Sequence, residues 1–397
     1  MSPETLSLRT LRFVNVAHAI DHFVLLIFPT AVIAIAPDLG LDYSSLIGVA
    51  TGAFVAFGAF SLPMGWFAER VGRRNLLAVF FFGCGASLIA LSLVSTPFAF
   101  AGWLFVLGVF AAIYHPIGSA MLVSHARQLG RTLGVNGVWG NVGAGFASGV
   151  TALVAAWLGW RASFAAPGIL CLATGVVFLA VVPGDGKERS GVEAGGLTRP
   201  LARPGLLLVI FVVAVVAGGM TFNVATISAP KVIDERLGFD LSLSFIGSLA
   251  TAVFMVGAMT QLAVGRLVDK VELPVIFVGL AATQTMGLAL ASAGTGVMLL
   301  SGLALAMAGI YGQVVVNDAM VARYAPAHLR AKAYSVRYFL GFTASGLAAP
   351  FIAFTHAAGG FSATLGVTAG IAATVFVCAF SFFFAAREFK VTDSNVL

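Results

Sequence analysis

The sequence predicts an all-α membrane protein with twelve transmembrane helices in two pseudo-symmetric six-helix bundles. Three observations carry this prediction: a very apolar composition, a regular succession of long apolar runs, and a repeat that relates the two halves. Of the 397 residues, 59% are hydrophobic and 10% are charged, and the mean hydropathy is +1.01. An average soluble domain carries roughly 25% charged residues, so this composition excludes a soluble enzyme, a nucleic-acid-binding domain and a disordered protein.

The apolar runs set the number of predicted helices. Each is about 20 residues or longer, the length that crosses a hydrocarbon core of about 30 Å. The first run contains His18, Asp21 and His22. It also exceeds the roughly 7–15 residues of a signal-peptide core, so we expect a transmembrane helix rather than a cleaved signal. The runs lie at 11–37, 44–67, 75–95, 98–122, 132–157, 161–182, 204–229, 242–264, 274–294, 296–321, 332–356 and 361–386.

The distribution of lysine and arginine predicts the orientation. If the N-terminus lies inside, all but three of the 22 basic residues fall on the cytoplasmic side, the exceptions being Arg161, Lys231 and Arg236. Cytoplasmic segments of membrane proteins are enriched in these two residue types. We therefore expect a multi-pass protein of the cytoplasmic (inner) membrane with both termini in the cytoplasm.

A central polar stretch and a repeat divide the chain into two halves. Residues 184–203 are rich in glycine and charge and have six apolar runs on either side. They predict a cytoplasmic linker between bundles at 1–183 and 204–397. The ends of the second and eighth runs, at 65–70 and 265–270, are alike at an offset of 200 residues. Repeated halves of six spans are typical of secondary transporters, whose solute site lies near the membrane midplane.

The segment after the second run resembles a loop of the major facilitator superfamily that reads Gly-x-Leu-Ala-Asp-Arg-x-Gly-Arg-Lys. The chain departs conservatively at Phe67 and Glu69, and its second copy has Glu272 and Leu273 where the later glycine and basic residue would stand. In that family the loop is a latch that favours one conformation of the alternating-access cycle. The resemblance implies the family's fold and a transport function. The latch residues that it implies are Gly65, Glu69, Arg70, Gly72, Arg73, Arg74, Gly265, Asp269 and Lys270.

A finer similarity concerns the fourth and fifth runs. The stretch Tyr114, His115 and Pro116 is similar to the fosmidomycin-resistance branch of drug exporters. The glycine motif that marks antiporters in the fifth helix is partly present. Gly134 and Gly143 have suitable spacing, and an Ala-Ser pair stands where Gly-Pro is expected. This similarity implies efflux of a drug-like compound.

Ionisable residues inside a bilayer are costly and are usually functional. In the first run, His18, Asp21 and His22 follow Asn15 at spacings of three and four residues, which places all four on one stripe of a helix. His115 lies at a similar depth in the fourth run, and in the resembled family the first and fourth helices line one cavity. We therefore predict that the two histidines and the aspartate of the first run form a central cluster with His115.

Three interpretations of this cluster remain open. A carboxylate beside imidazoles can load and release a proton as the cavity opens to alternate sides of the membrane. Alternatively, the three imidazoles of His18, His22 and His115 and the carboxylate of Asp21 are a workable ligand set for a transition-metal ion. In the third interpretation the histidines only bond to backbone or to neighbouring helices. Proton coupling, with no metal bound, is the working hypothesis.

Other polar residues predict solute contacts and a gate. The neutral candidates for solute contacts are Asn15, Asn223, Gln313 and Asn317. Asp318 and Arg337 each lie roughly 9 Å inside the cytoplasmic end of their predicted helix, at a rise of about 1.5 Å per residue. We predict that these two residues form an ion pair that helps to close the cytoplasmic side.

The expected function is proton-coupled secondary active transport of a small organic solute by alternating access, as antiport for drug-like efflux or symport for uptake. The sequence has no GxxxxGK(S/T) motif, so nucleotide hydrolysis is not the expected energy source. The expected partners are protons, a small-molecule substrate and the lipid bilayer. We expect a monomer without cofactor, nucleic acid or enzymatic activity. The alternatives are a proton-driven importer, a transition-metal transporter that uses the cluster, and a non-transporting membrane sensor.

Overall fold

The computed structural model describes residues 3–125, 129–184, 204–237, 240–268, 270–324 and 330–393, and they contain helices and no strand. The helices are α1 Pro3–Leu39, α2 Tyr43–Gly48, α3 Thr51–Val71, α4 Arg73–Leu93, α5 Pro97–Ala111, α6 Tyr114–His125, α7 Leu129–Leu158, α8 Trp160–Val181, α9 Pro204–Arg236, α10 Leu243–Leu267, α11 Leu273–Ala293, α12 Gly296–Tyr324 and α13 Arg330–Asp393.

Within this described part, eleven helical stretches are long and apolar enough to cross a membrane. The last stretch joins two predicted spans, because α13 has 64 residues and loses helical geometry at Gly359 and Gly360. Gly360 has a φ of 64°, which favours glycine. The two parts of α13 are therefore the eleventh and twelfth predicted spans. The predicted all-α membrane architecture is confirmed.

Two of the predicted spans each consist of two helices. The second span comprises α2 and α3, and the fourth comprises α5 and α6. The break in the fourth span has a local cause. Pro116 has no N–H, so the carbonyl of Ala112 cannot receive the helical hydrogen bond from four residues onward. The break places Tyr114 and His115 in the first turn of α6, which packs against α1.

The helices form two compact units. The first contains Met1–Glu193 and Asp240–Ala252, and the second contains Ala194–Phe239 and Val253–Leu397. In the first unit α1 packs on α7, α4 on α8, and α3 on α5. In the second unit α9 packs on α13, and α11 packs on both α12 and α13. The predicted linker at 184–203 lies, beyond its first residue, outside the described residues.

Each unit has an aromatic core and an apolar exterior. In the first unit the buried rings of Phe81 and Phe178 have centroids 5.6 Å apart, and in the second those of Phe277 and Phe382 are 6.3 Å apart. Large apolar side chains also face outward, as at Phe98, which is 89% exposed. Water would penalise such a surface, whereas lipid tails solvate it.

Two arginines that are predicted to lie on the outer side donate hydrogen bonds to backbone carbonyls at helix ends. Arg161 donates to the backbone carbonyls of Ser92 and Val94 at the end of α4. Arg236 does the same for two carbonyls at the end of α11. The last carbonyls of a helix have no partner within it, so a guanidinium there replaces the missing donors. Since α4 and α11 are the third predicted spans of the two halves, the same arrangement recurs with the repeat.

Candidate functional site

Two helices of the first unit bring together the four residues of the predicted cluster. His18, Asp21 and His22 come from α1, and His115 comes from the first turn of α6. The Nε2 atoms of His18 and His22 are 3.2 Å apart, and the His115 Nε2 atom lies 3.3 Å from the Asp21 Oδ2 atom. One ring nitrogen from each histidine lies within 4.8 Å of the others. These groups are close enough to share protons or to ligate one cation.

Asp21 is fully buried, with 0% of its surface exposed. Among the described residues, no donor meets hydrogen-bond geometry at either of its carboxylate oxygens. His115 stands at ion-pair distance from one oxygen, and the thiol of Cys84 on α4 is near enough to interact electrostatically. A carboxylate buried in this way is costly as a bare anion, so the site favours a proton or another cation beside it.

The ring of His18 is held on two sides. Its Nδ1 atom lies 2.7 Å from the backbone carbonyl oxygen of Asn136, and the ring stacks on Tyr114 with centroids 4.8 Å apart. A carbonyl oxygen can only accept, so in the neutral His18 ring the proton is on Nδ1 and the lone pair is on Nε2. The lone pair is therefore on the nitrogen that faces His22.

Asn136 on α7 connects three helices at this site, and it is not among the site residues predicted from the sequence. It is 6% exposed, its Oδ1 atom accepts from the Tyr114 hydroxyl at 3.1 Å, and its Nδ2 atom donates to Asn15 Oδ1 at 3.0 Å. An asparagine in an apolar run is a signal that a polar partner is near, because an unpaired buried amide is costly. The run has no polar stripe that would indicate which helix this residue faces.

Glycine allows α7 to approach α1 closely at the cluster. A Cβ atom at Gly143 would lie 2.0 Å from the backbone oxygen of Ala19, and one at Gly140 would lie 2.6 Å from the ring of His18. Neither distance leaves room for a side chain, which is why small residues allow helices to meet at short range. The sequence places Gly143 in a partial antiporter motif, and in the structure it sets the contact between α1 and α7.

The candidate solute contacts are divided between the two units. Asn15 lies beside the cluster in the first unit, where it accepts from Asn136. Asn223 lies on α9 of the second unit and donates to the backbone oxygen of Gly219 in its own helix at 2.8 Å. Gln313 and Asn317 lie one helical turn apart on α12 of the second unit.

One of these candidate contacts, Gln313, is a member of a buried glutamine pair. Gln284 on α11 donates to Gln313 Oε1 at 2.7 Å, and the two residues are 0% and 3% exposed. Within the described residues, Gln313 Nε2 and Asn317 Oδ1 are buried without a hydrogen-bond partner. Gln284 is a second polar residue that is not among those predicted from the sequence. As with Asn136, its partner comes from another helix and cannot be found from spacing along one helix.

An ion pair joins α12 and α13 in the second unit. The Arg337 guanidinium donates to the Asp318 carboxylate, and its other terminal nitrogen lies 3.4 Å from the backbone oxygen of Val314. Arg337 is 7% exposed. The two residues predicted to pair are thus in contact, and their role in closing the cytoplasmic side stays a prediction.

The first copy of the latch segment is helical on both sides of one residue. α3 continues to Val71 and α4 begins at Arg73, so Gly72, with a φ of 85°, makes the turn alone. The guanidinium of Arg70 lies 3.6 Å from the ring centroid of Trp66. This segment is therefore a tight corner between two helices rather than an extended loop.

The latch segment is also attached to the end of α8. Arg74 donates to the backbone oxygens of Val182 and Leu179 at 2.5 and 2.6 Å. In the second copy, Gly265 belongs to α10 and Lys270 follows that helix. Asp269 and the side chain of Glu69 lie outside the described part of the structure.

Three solved structures are similar to this chain in fold. A bacterial homologue of the human lysosomal transporter Spinster, in an inward-facing and occupied conformation, has a TM-score of 0.76 at 13% identity over 98% of both chains. Its unoccupied form has a TM-score of 0.74 with the same identity and coverage. The nucleoside transporter NupG has a TM-score of 0.72 at 13% identity over 96% of this chain and 99% of its own. At this identity the likeness shows the fold alone.

Sequence comparison identifies the family. No curated protein matches the sequence. The family model described as Major Facilitator Superfamily matches residues 14–317 and residues 210–396. This match covers most of the chain, and the fold agrees with it. The chain therefore belongs to the major facilitator superfamily, and it is a multi-pass membrane transporter of a small-molecule substrate rather than an enzyme.

Proposed function

We propose that the protein is a proton-coupled secondary active transporter of a small organic solute that works by alternating access. The observation that carries this proposal is Asp21, a fully buried carboxylate in α1 with His115 Nε2 3.3 Å from one oxygen. An ionisable residue at such a position in a membrane is usually functional, because an uncompensated charge would be costly there. A proton neutralises the carboxylate and can leave again when the site opens to the other side.

In this proposal Asp21 is the principal proton carrier and His115 its exchange partner. His18 and His22 extend the titratable cluster, since their Nε2 atoms are 3.2 Å apart. Proton loading and release at the cluster would change its net charge, and that change would favour one conformation of the transporter over the other.

The solute contacts proposed for this cycle are the neutral amides Asn15, Asn223, Gln313 and Asn317. They offer donors and acceptors without charge, which suits an organic solute that enters the membrane interior. The Asp318–Arg337 pair is proposed to close the cytoplasmic side, and the corner at Gly72 with its flanking charges is proposed to act as the latch.

The proposed setting is the inner membrane, with both termini in the cytoplasm and the protein acting as a monomer. Efflux of a drug-like compound in exchange for protons is the proposed direction, supported by the similarity of Tyr114, His115 and Pro116 to exporters. A proton-driven importer would use the same carboxylate and is distinguished by the direction in which a gradient drives the solute.

Flux in proteoliposomes tests the proposal. Fosmidomycin, uridine and other small organic compounds are first screened for their effect on the thermal stability of the purified protein. The compound that raises this stability most is the solute used in the flux assay. We expect a pH gradient to drive its flux in the wild type, and Asp21→Asn to abolish that response. Asp42→Asn is the matched control, because Asp42 caps α2 through its bond to the Ser45 amide and lies outside the cluster. Undiminished gradient-driven flux in Asp21→Asn would overturn the proposal.

A further inference from the structure

We propose that His18, His22 and His115 form a binding site for a divalent transition-metal ion such as Zn²⁺. This inference goes beyond the proposed function, which uses the same cluster to carry protons and requires no metal ion. It rests on the convergence of three imidazoles from two helices, with one ring nitrogen of each within 4.8 Å of the others.

The spacing of two of these nitrogens already suits a metal. Zinc binds histidine nitrogen at about 2.0–2.1 Å with tetrahedral geometry, so two such nitrogens on one ion lie about 3.3 Å apart. The Nε2 atoms of His18 and His22 are 3.2 Å apart. His115 meets both rings edge-on, with centroids 5.5 and 5.6 Å away, and one of its ring nitrogens lies within 4.8 Å of the ligand nitrogens of the other two.

The surroundings of His18 resemble the second shell of a metal-bound histidine. Such a histidine donates its other ring N–H to a carboxylate or a backbone carbonyl, which fixes its tautomer and orientation. The Nδ1 atom of His18 lies 2.7 Å from the Asn136 backbone oxygen, and Tyr114 stacks on the same ring. The Nε2 lone pair is therefore directed toward His22 without any need for the ring to reorient.

Asp21 supplies the charge that a dication requires in this environment. A dication among neutral imidazoles would be poorly compensated inside a membrane. The Asp21 carboxylate is 0% exposed and lies 3.3 Å from His115 Nε2, where it can orient that ring or serve as a fourth ligand. Nitrogen ligands with one carboxylate favour zinc, nickel, cobalt or copper over magnesium and calcium, which prefer oxygen.

The geometry alone allows one other arrangement, a hydrogen bond from His22 Nε2 to the lone pair of His18. That arrangement would hold the two rings together and bind no metal. The two differ in what they predict for added Zn²⁺. A ligand set binds it at a fixed stoichiometry, whereas a hydrogen-bonded pair does not.

The test is titration of the purified full-length protein with Zn²⁺, and with Mg²⁺ as the control ion, by isothermal calorimetry. The affinity tag must contain no histidine. We expect one Zn²⁺ per chain, no response to Mg²⁺, and weaker binding in His18→Gln, His22→Gln and His115→Gln, by more than the roughly tenfold that loss of a ligand's hydrogen-bond partner costs. His125→Gln is the matched control, because His125 bonds locally to Ser124 and Met121 at the end of α6.

X-ray absorption of the zinc-loaded wild type reports the ligands of the bound zinc directly. It therefore tests the proposal even if a histidine variant fails to fold. Scattering from two or three imidazoles at one zinc is the expected result. Absence of stoichiometric zinc in the wild type, or a coordination sphere without imidazole, would overturn the proposal. So would equal loss of binding in His125→Gln. Neither readout uses a gradient or a solute, so failure of the metal site and failure of proton-coupled transport are separate results.

Discussion

The Asp21 carboxylate and the His115 imidazole face each other across the contact between α1 and α6, with Oδ2 3.3 Å from Nε2. An acid and a base in contact within the membrane can exchange a proton without exposing either charge to lipid. The break between α5 and α6 is what brings His115 to the start of a helix at this depth. A functional carboxylate held in this way should cost the protein stability.

Removing the buried charge should therefore stabilise the protein while it abolishes coupling. Asp21→Asn keeps the size of the side chain and removes a carboxylate that is 0% exposed and faces the His115 imidazole at 3.3 Å. We expect its stability in detergent to rise by about 1 kcal/mol or more. The melting temperature, compared with that of Asp42→Asn, is the measurement. A clear fall would mean that the carboxylate has stabilising partners.

Asn136 should be important for stability as well as for the site. Asn136→Ala removes the side-chain bonds that Asn136 makes to Tyr114 and Asn15 inside the protein. We expect a loss of about 1–3 kcal/mol and reduced flux. Ser248→Ala is the control, because the Ser248 side chain is exposed and bonds within its own helix to the backbone oxygen of Ser244; there we expect a change within about 0.5 kcal/mol. Equal effects in the two variants would contradict the bridging role of Asn136.

Two glycines of α7 should respond oppositely to the same substitution. A Cβ atom at Gly143 would lie 2.0 Å from the backbone oxygen of Ala19, whereas a Cβ atom at Gly134 would meet nothing within 4 Å. Gly143→Ala should cost about 1–3 kcal/mol or more through forced separation of α1 and α7. Gly134→Ala should gain up to about 1 kcal/mol through better helix propensity. The measurement is the thermal unfolding of the two variants. An unchanged stability in Gly143→Ala would show that α1 and α7 can separate without cost.

The pair of Asp318 and Arg337 should behave as one unit in transport. Asp318→Asn and Arg337→Gln are each expected to impair flux, because each leaves a partly buried charge without its partner. The double variant should be no worse than either single variant. Additive losses in initial rates would show that the two residues act independently. The control is the ion pair of Lys231 and Asp234, which are three residues apart on α9, and its variants are Lys231→Gln and Asp234→Asn.

Part of the site could be predicted from the sequence of a single helix. His18, Asp21 and His22 share a stripe because helical neighbours recur every three or four residues, and that periodicity is a property of the chain alone. The apolar lengths likewise predicted the crossings, including the two that meet at Gly360 inside α13. Breaks inside a span were harder to predict, although Pro116 provides the reason for the one before α6.

The sequence by itself determined that this is a membrane protein of twelve crossings with a polar stripe in its first helix, because hydropathy and helical period depend only on residue order. Only the tertiary structure decided which groups meet that stripe. Asn136 from α7 and His115 from α6 reach it through helix packing, and Gln284 reaches Gln313 in the same way. A helical pattern says which residues share a face, but the partner of that face depends on side-chain fit between helices far apart in sequence, as at Gly143 against Ala19.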